Sequence, residues 1–147
     1  MFKFALLDPA ATPLKRGHKG DSGYDLIAIE GKTVKPGETV MVKTGIAVIP
    51  KEGWAGFIME RSGLASKKSI RIGGGVVDSH YTGDLGVIIQ NLGKEDFVVP
   101  LDKAIAQLVF QPVFLNDEEL IQIDKSELPN TERGANGFGS TDKKINE

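Results

Sequence analysis

A chain of 147 residues, 40% of them hydrophobic and 26% charged, is sized for one domain with a core of its own. It has no cysteine, which excludes disulfides, thiolate zinc sites and thiol nucleophiles, and its net charge of -2 argues against nucleic acid or membrane partners while leaving room for a small phosphate ligand. No apolar run approaches the roughly 20 residues that cross a bilayer, and the first five residues lack the pattern of a secretory signal, so a soluble protein is expected, cytoplasmic or, if the gene is viral, in the host cell interior.

In chain order, strands are expected at 40–44, 47–49, 56–59, 87–90 and 97–99. Turn chemistry separates them at Lys35-Pro36-Gly37, Pro50-Lys51-Glu52-Gly53, Gly73-Gly74-Gly75 and Asn91-Leu92-Gly93-Lys94. Short strands so closely spaced imply a sandwich or barrel. One short helix is expected after Ser62, whose hydroxyl would cap residues 63–66 while Lys67 and Lys68 suit the negative carboxyl end. Residues 117–120 suit a helical turn, but the alternation at Ile121 and Ile123 favours a strand. Beyond Pro129, residues 130–147 offer only Ala135, Phe138 and Ile145 as apolar side chains, too few to offset ordering entropy. The division expected is a β-domain over 1–128 and a flexible C-terminal arm over 129–147.

Five segments carry chemistry. In Gly20-Asp21-Ser22-Gly23-Tyr24-Asp25-Leu26, Asp25 could hold a hydrated cation, or the segment is a turn with Asp and Ser as caps. Glu60-Arg61-Ser62-Gly63-Leu64-Ala65 places an Arg and a Ser ahead of a helical turn whose first N–H groups suit a phosphate; the alternative is an ordinary N-cap with a solvated Arg. In the stretch from Ile72 through Gly83, three glycines would leave main-chain groups uncovered for a flat ligand near Asp78 and Tyr81, or form a plain hairpin, with His80 an exposed turn residue. Gln107 sets one amide in an apolar strand, where it needs a structural partner or a ligand. Finally, Glu132-Arg133-Gly134-Ala135-Asn136-Gly137-Phe138-Gly139-Ser140-Thr141 combines an Arg for anionic oxygens, glycines for close approach and a lone Phe free to stack on a base.

Taken in order, Gly23-Tyr24-Asp25-Leu26, Arg61-Ser62-Gly63-Leu64-Ala65, Gly75-Val76-Val77-Asp78 with Tyr81 and Gly83, Ile105-Ala106-Gln107-Leu108, and Arg133-Gly134 with Gly137-Phe138-Gly139-Ser140-Thr141 resemble the five motifs of the trimeric dUTPase family. The resemblance implies an all-β, jelly-roll-like dUTPase β-barrel and a homotrimer with shared active sites. The implied reaction is hydrolysis of dUTP to dUMP and pyrophosphate by water attack on the α-phosphate, assisted by Mg2+, which limits uracil in DNA and supplies dUMP for dTMP synthesis. By the same resemblance Asp78 is the base, and a Gly73-to-Tyr81 hairpin with Gly75, Val76 and Val77 reads uracil through its backbone, Gly86 adding a main-chain contact. Tyr81 packs under the deoxyribose, Arg61, Ser62, Gly63 and Gln107 hold the phosphates, and Asp25 supports magnesium through water. Arg133, Phe138, Gly139 and Ser140 close over the substrate.

Some positions depart from the family pattern. Glu60 precedes Arg61, Lys103-Ala104 replaces an acidic-then-basic pair, and Asn136 and Asp142 replace glycines. A carboxylate at 60 would weaken triphosphate binding unless it points away or pairs with a Lys. Two other readings are a dCTP deaminase-like enzyme, for which residues 72–77 supply no proton-transfer carboxylate, and a dUTP-responsive regulatory binding protein.

Overall fold

Runs rich in Val and Ile, set between glycine- and proline-bearing turns, become short strands spread along the first 112 residues of the computed structural model, which describes residues 1–135. Strands β1 (Lys3–Leu6), β2 (Tyr24–Ile27), β3 (Thr33–Val34), β4 (Thr39–Val42), β5 (Ile46–Ile49) and β6 (Trp54–Met59) precede the helix α1 (Ser62–Lys68). After it come β7 (Ile70–Gly73), β8 (Val76–Val77), β9 (Val87–Asn91), β10 (Phe97–Val98) and β11 (Ala104–Pro112). Every pairing is antiparallel, in a four-stranded sheet ordered β2-β11-β6-β8, a three-stranded sheet ordered β4-β9-β7, and two ribbons, β1-β5 and β3-β10.

One core joins them. Leu26, Ile58, Ile105 and Leu108 of the first sheet meet Val42, Ile70, Val87 and Ile89 of the second, with Val34 and Phe97 of one ribbon and Ile46 and Val48 of the other. Each such side chain contributes about 1.5–3 kcal/mol on burial. A two-residue ribbon such as β3-β10 would not persist alone, and Val34 and Phe97 tie it to that core. Strand β9 shows the period of two plainly, with Val87, Ile89 and Asn91 buried and Ile88 and Gln90 half-buried. The result is the expected all-β, jelly-roll-like architecture with one short helix.

Strand β11 breaks the alternation where it matters for chemistry. Its register against β2 slips between Ala104 and Ala106, so two consecutive residues, Ile105 and Ala106, are buried. Beyond the bulge Gln107 stands opposite Asp25 of β2 on one side and Met59 of β6 on the other, while Leu108 fills the core.

Three local expectations are corrected. The triple glycine is not the bend of a hairpin: β7 pairs with β9 in one sheet and β8 with β6 in the other, so Gly74, at φ 56°, turns the chain from sheet to sheet. Ser62 is the first helical residue rather than the cap; Arg61 holds the cap position in extended backbone without a side-chain cap, so the Ser62 hydroxyl is not spent there. Lys67 and Lys68 do occupy the last turn.

The third correction falls in the second of the chain's two compact units, which begins at Asn116 after a first unit of Met1–Leu115. Residues 121–124 form no strand, although a 3-10 turn does form at Asp117–Glu119 and another at Lys125–Glu127. Alternation alone does not make a strand, and residues 121–124 pair with no neighbour among the described residues. Asp124 caps the second turn, accepting from the Ser126 N–H at 2.9 Å while its own N–H donates to Glu127 at 3.1 Å.

Candidate active site

The β2-β11-β6 register gathers the first group of expected residues. Asp25 on β2 and Gln107 on β11 lie side by side, and the chain leaving β6 after Met59 brings Arg61 to the same end of the sheet. Gln107 donates through Nε2 to the carbonyl of Glu60 at 2.8 Å, which fixes the link between β6 and α1. The Arg61 guanidinium donates to the carboxylate of Asp25 in an ion pair whose side chains keep 39% and 21% of their exposure. Here the amide within the apolar strand finds a structural partner.

These residues line a cavity of about 1070 Å³ together with Ser62 and Gly63. Leu64 and Ala65 make the first helical bonds, both to the Arg61 carbonyl at 3.0 Å, so Ser62 and Gly63 precede the hydrogen-bonded turn, where backbone donors favour anions. Lys67, Lys68 and Lys103 also line the cavity, and sequence reading assigned none of them to a site. Lys103 was visible only as a departure from a pattern, and the cavity wall it occupies is made by the packing of β11. Glu60 is absent from that wall. Its carboxylate pairs with Arg71 of β7 at 3.2 Å, so its charge is balanced away from the phosphate-binding candidates.

Among the described residues no three His, Asp or Glu side chains cluster as a metal cage. The donor set suits Mg2+ nonetheless, because that ion keeps several waters and is commonly held by one or two carboxylates plus substrate phosphates; Asp25, with Asp21 also on the wall, fits such support.

A second cavity, of about 330 Å³, collects Val76, Val77, Asp78, Tyr81 and Gly86, and is also lined by Met41 of β4 and Lys43. Gly75 packs directly on β6: it accepts from the Ile58 N–H at 2.7 Å, and a Cβ at position 75 would overlap the Ile58 carbonyl oxygen. Its carbonyl is therefore engaged, which narrows the main-chain groups the three glycines offer a ligand. Asp78 is exposed, and the exposed His80 sits in the turn that follows, as expected. The Tyr81 hydroxyl donates to the Asp84 carbonyl at 2.9 Å, which also accepts from the Gly86 N–H at 2.9 Å.

The two cavities have no lining residue in common. Arg133 belongs to the second unit, beside a turn in which the Gly134 N–H reaches the Thr131 carbonyl at 3.0 Å. Phe138, Gly139 and Ser140, with Asn136 and Asp142, lie outside the described residues.

The sequence model of the dUTPase family matches residues 10–142. The mitochondrial deoxyuridine 5'-triphosphate nucleotidohydrolase of Homo sapiens is 42% identical over 141 residues, 96% of this chain and 54% of its own length, so the chain spans about half of that relative. The Mus musculus enzyme of the same name is 41% identical over 96% of this chain and 85% of its own. Among solved structures, a variant dUTPase of phage 80alpha superposes with a TM-score of 0.84 at 30% identity, covering 96% of this chain and 98% of that one. A variant dUTPase from phage phi11 of S. aureus, described for its coordination of a structural Mg(II) ion, superposes with a TM-score of 0.78 at 28% identity over 87% of this chain and 99% of its own.

Proposed function

Because this chain belongs to the dUTPase family, we infer that it hydrolyses dUTP to dUMP and pyrophosphate with the help of magnesium. The observation that carries the reading is the pair of cavities: anion-holding groups line one, and the carboxylate of Asp78 lines the other beside an aromatic ring. A nucleoside triphosphate needs both kinds of surface.

In the proposed reaction Asp78 takes a proton from water as the water oxygen attacks the α-phosphorus in line. The bond from that phosphorus to the bridging oxygen breaks, and pyrophosphate leaves. Arg61, Ser62, Gly63 and Gln107 hold the phosphate chain, Arg61 exchanging its present partner Asp25 for phosphate oxygens. Asp25, once released by Arg61, would support a hydrated magnesium ion borne by the triphosphate, and that ion would supply positive charge against the leaving group. Uracil is read by the backbone of Gly75, Val76, Val77 and Gly86, and Tyr81 stands where a ribose 2′-hydroxyl would go. The arm over 129–147 closes the site with Arg133, Phe138, Gly139 and Ser140, excluding bulk water.

Two cavities without a shared wall support a further part of the reading: the site is completed between subunits of a homotrimer, the nucleoside cavity of one meeting the phosphate cavity of another. No helix among the described residues is long and apolar enough to cross a membrane, and a cytoplasmic or host-interior location is proposed with the rest.

Product analysis after incubation with Mg2+ and each of dUTP, dTTP, dCTP and UTP tests the assignment. The expected result is dUMP and pyrophosphate from dUTP, with far slower turnover of the others. Ammonia release from dCTP would replace hydrolysis by deamination.

A further inference from the structure

The segment that bears Asp78 and Tyr81 runs between β8 and β9 without a ladder of its own, so something outside it must hold it still. That anchor is Asp84. Through Oδ1 its carboxylate accepts from the Thr44 N–H at 3.1 Å and the Gly45 N–H at 3.1 Å, and Oδ2 also lies 3.1 Å from the Gly45 nitrogen, while the Thr44 hydroxyl oxygen stands 3.4 Å from Oδ1. Gly45 sits at φ 68°, a conformation side chains resist, and a Cβ there would stand 2.9 Å from that of Ala11; only glycine presents its N–H in this way. Two successive amides aimed at one carboxylate form an anion cradle, filled here by the chain's own side chain. Thr44 is fully buried, and its hydroxyl also donates to the Leu85 carbonyl at 2.9 Å, while the Leu85 N–H donates to Ile46 at 2.7 Å.

The main chain of the same residue faces the substrate pocket. The Asp84 carbonyl receives both the Tyr81 hydroxyl and the Gly86 N–H, and the Tyr81 ring lies so closely over Gly83 that a Cβ there would approach its Cζ to 2.7 Å. We propose that Asp84 is the positioning residue for 2′-deoxy selectivity: its side chain clamps residues 78–86 to Thr44 and Gly45, and its carbonyl holds the Tyr81 ring against the sugar. This rests on the place given to Tyr81 under the dUTP reading. Both carboxylate oxygens take part: an asparagine oxygen can replace Oδ1, but its Nδ2 would set a donor 3.1 Å from the Gly45 nitrogen where Oδ2 now accepts.

The test is the ratio of kcat/KM for dUTP to that for UTP in Asp84→Ala, Asp84→Asn and Tyr81→Phe. A change in the folded fraction scales both substrates equally and leaves the ratio alone, whereas a displaced ring alters it. In Asp84→Ala the ratio should fall by roughly ten-fold or more, the change expected for about 1.4 kcal/mol of lost discrimination. Asp84→Asn, which keeps the acceptor at Oδ1 and loses the one at Oδ2, should lower it by less than Asp84→Ala. Tyr81→Phe keeps the ring and the clamp but loses the bond to the Asp84 carbonyl, so it should lower the ratio by itself, and the double variant with Asp84→Ala should fall short of the product of the two effects. If Asp84→Ala fails to fold, Tyr81→Phe decides. An unchanged ratio in Tyr81→Phe, or in folded Asp84→Ala, overturns the proposal. A parent protein inactive on dUTP refutes the dUTP reading instead; a selective parent whose ratio survives these substitutions refutes only the role given to Asp84.

Discussion

Arg61 and Asp25 stand 36 residues apart and meet because β11 lies between β2 and β6. Their pairing offsets the cost of partly desolvating a cation and a carboxylate, and under the proposed function it would give way when a triphosphate with its own metal arrives. Asp25→Asn should therefore raise the Mg2+ concentration needed for half-maximal rate, read from a metal titration at saturating dUTP; an unchanged titration would remove Asp25 from metal support. Asp78→Asn should keep the fold and still bind dUTP by calorimetry, while turnover drops by at least the roughly 100-fold that general-base removal costs. Turnover near the parent rate would assign proton acceptance elsewhere. Residue types were legible in the sequence at both positions, since a carboxylate and an Arg in glycine-bearing segments suggest phosphate chemistry. Their contact was not, because it follows from strand order. The pairing of Glu60 with Arg71 was equally hidden: β7 supplies the cation, and nothing near Glu60 in sequence announces it.

Among the elements, what could be read ahead follows from local periodicity, and what could not depends on a partner strand. Strand β9 declares itself through Val87 and Ile89. At Gly73-Gly74-Gly75, by contrast, backbone freedom suits a hairpin and a change of sheet equally, and only the pairing of β8 with β6 decides. That crossing makes Gly75 sensitive. Gly75→Ala forces a methyl group onto the Ile58 carbonyl and should cost about 1–3 kcal/mol, seen as a lower denaturation midpoint. Asn91 offers a comparison at the other sheet: its Nδ2 donates to Val34 and Glu95, both at 2.8 Å, and its Oδ1 accepts from Gly93 at 2.9 Å, stapling β9 to the β3-β10 ribbon. Asn91→Ala strands these groups and should cost about 1–3 kcal/mol per group left buried and unsatisfied. An unchanged midpoint would mean that water replaces the staple. The 3-10 turns at Asp117–Glu119 and Lys125–Glu127 show the same limit on local reading, for Ile121 and Ile123 alternate like a strand and have no ladder to join.

For the whole molecule, the composition break past Pro129 is the most readable feature, and the division of chemistry between two cavities is the least, because it arises only when the sheets are packed. Under the proposed trimer, a chain cut before Arg133 should remain folded with little activity. Mixed with Asp78→Asn under conditions that exchange subunits, it should regain activity, since some sites would join an intact Asp78 to an intact arm. Confirmed mixed trimers as inactive as their parents would mean that each arm serves its own subunit. Under that same proposal, the separate walls of the two cavities would also give the protein a threshold in concentration. A lone subunit would hold half a pocket for the nucleoside and half for the phosphates without the means to join them, so turnover per chain should decline as the protein is diluted past its assembly constant. Scarce enzyme would then be idle enzyme, and the cell's capacity to clear dUTP would rise more steeply than the amount of protein it makes.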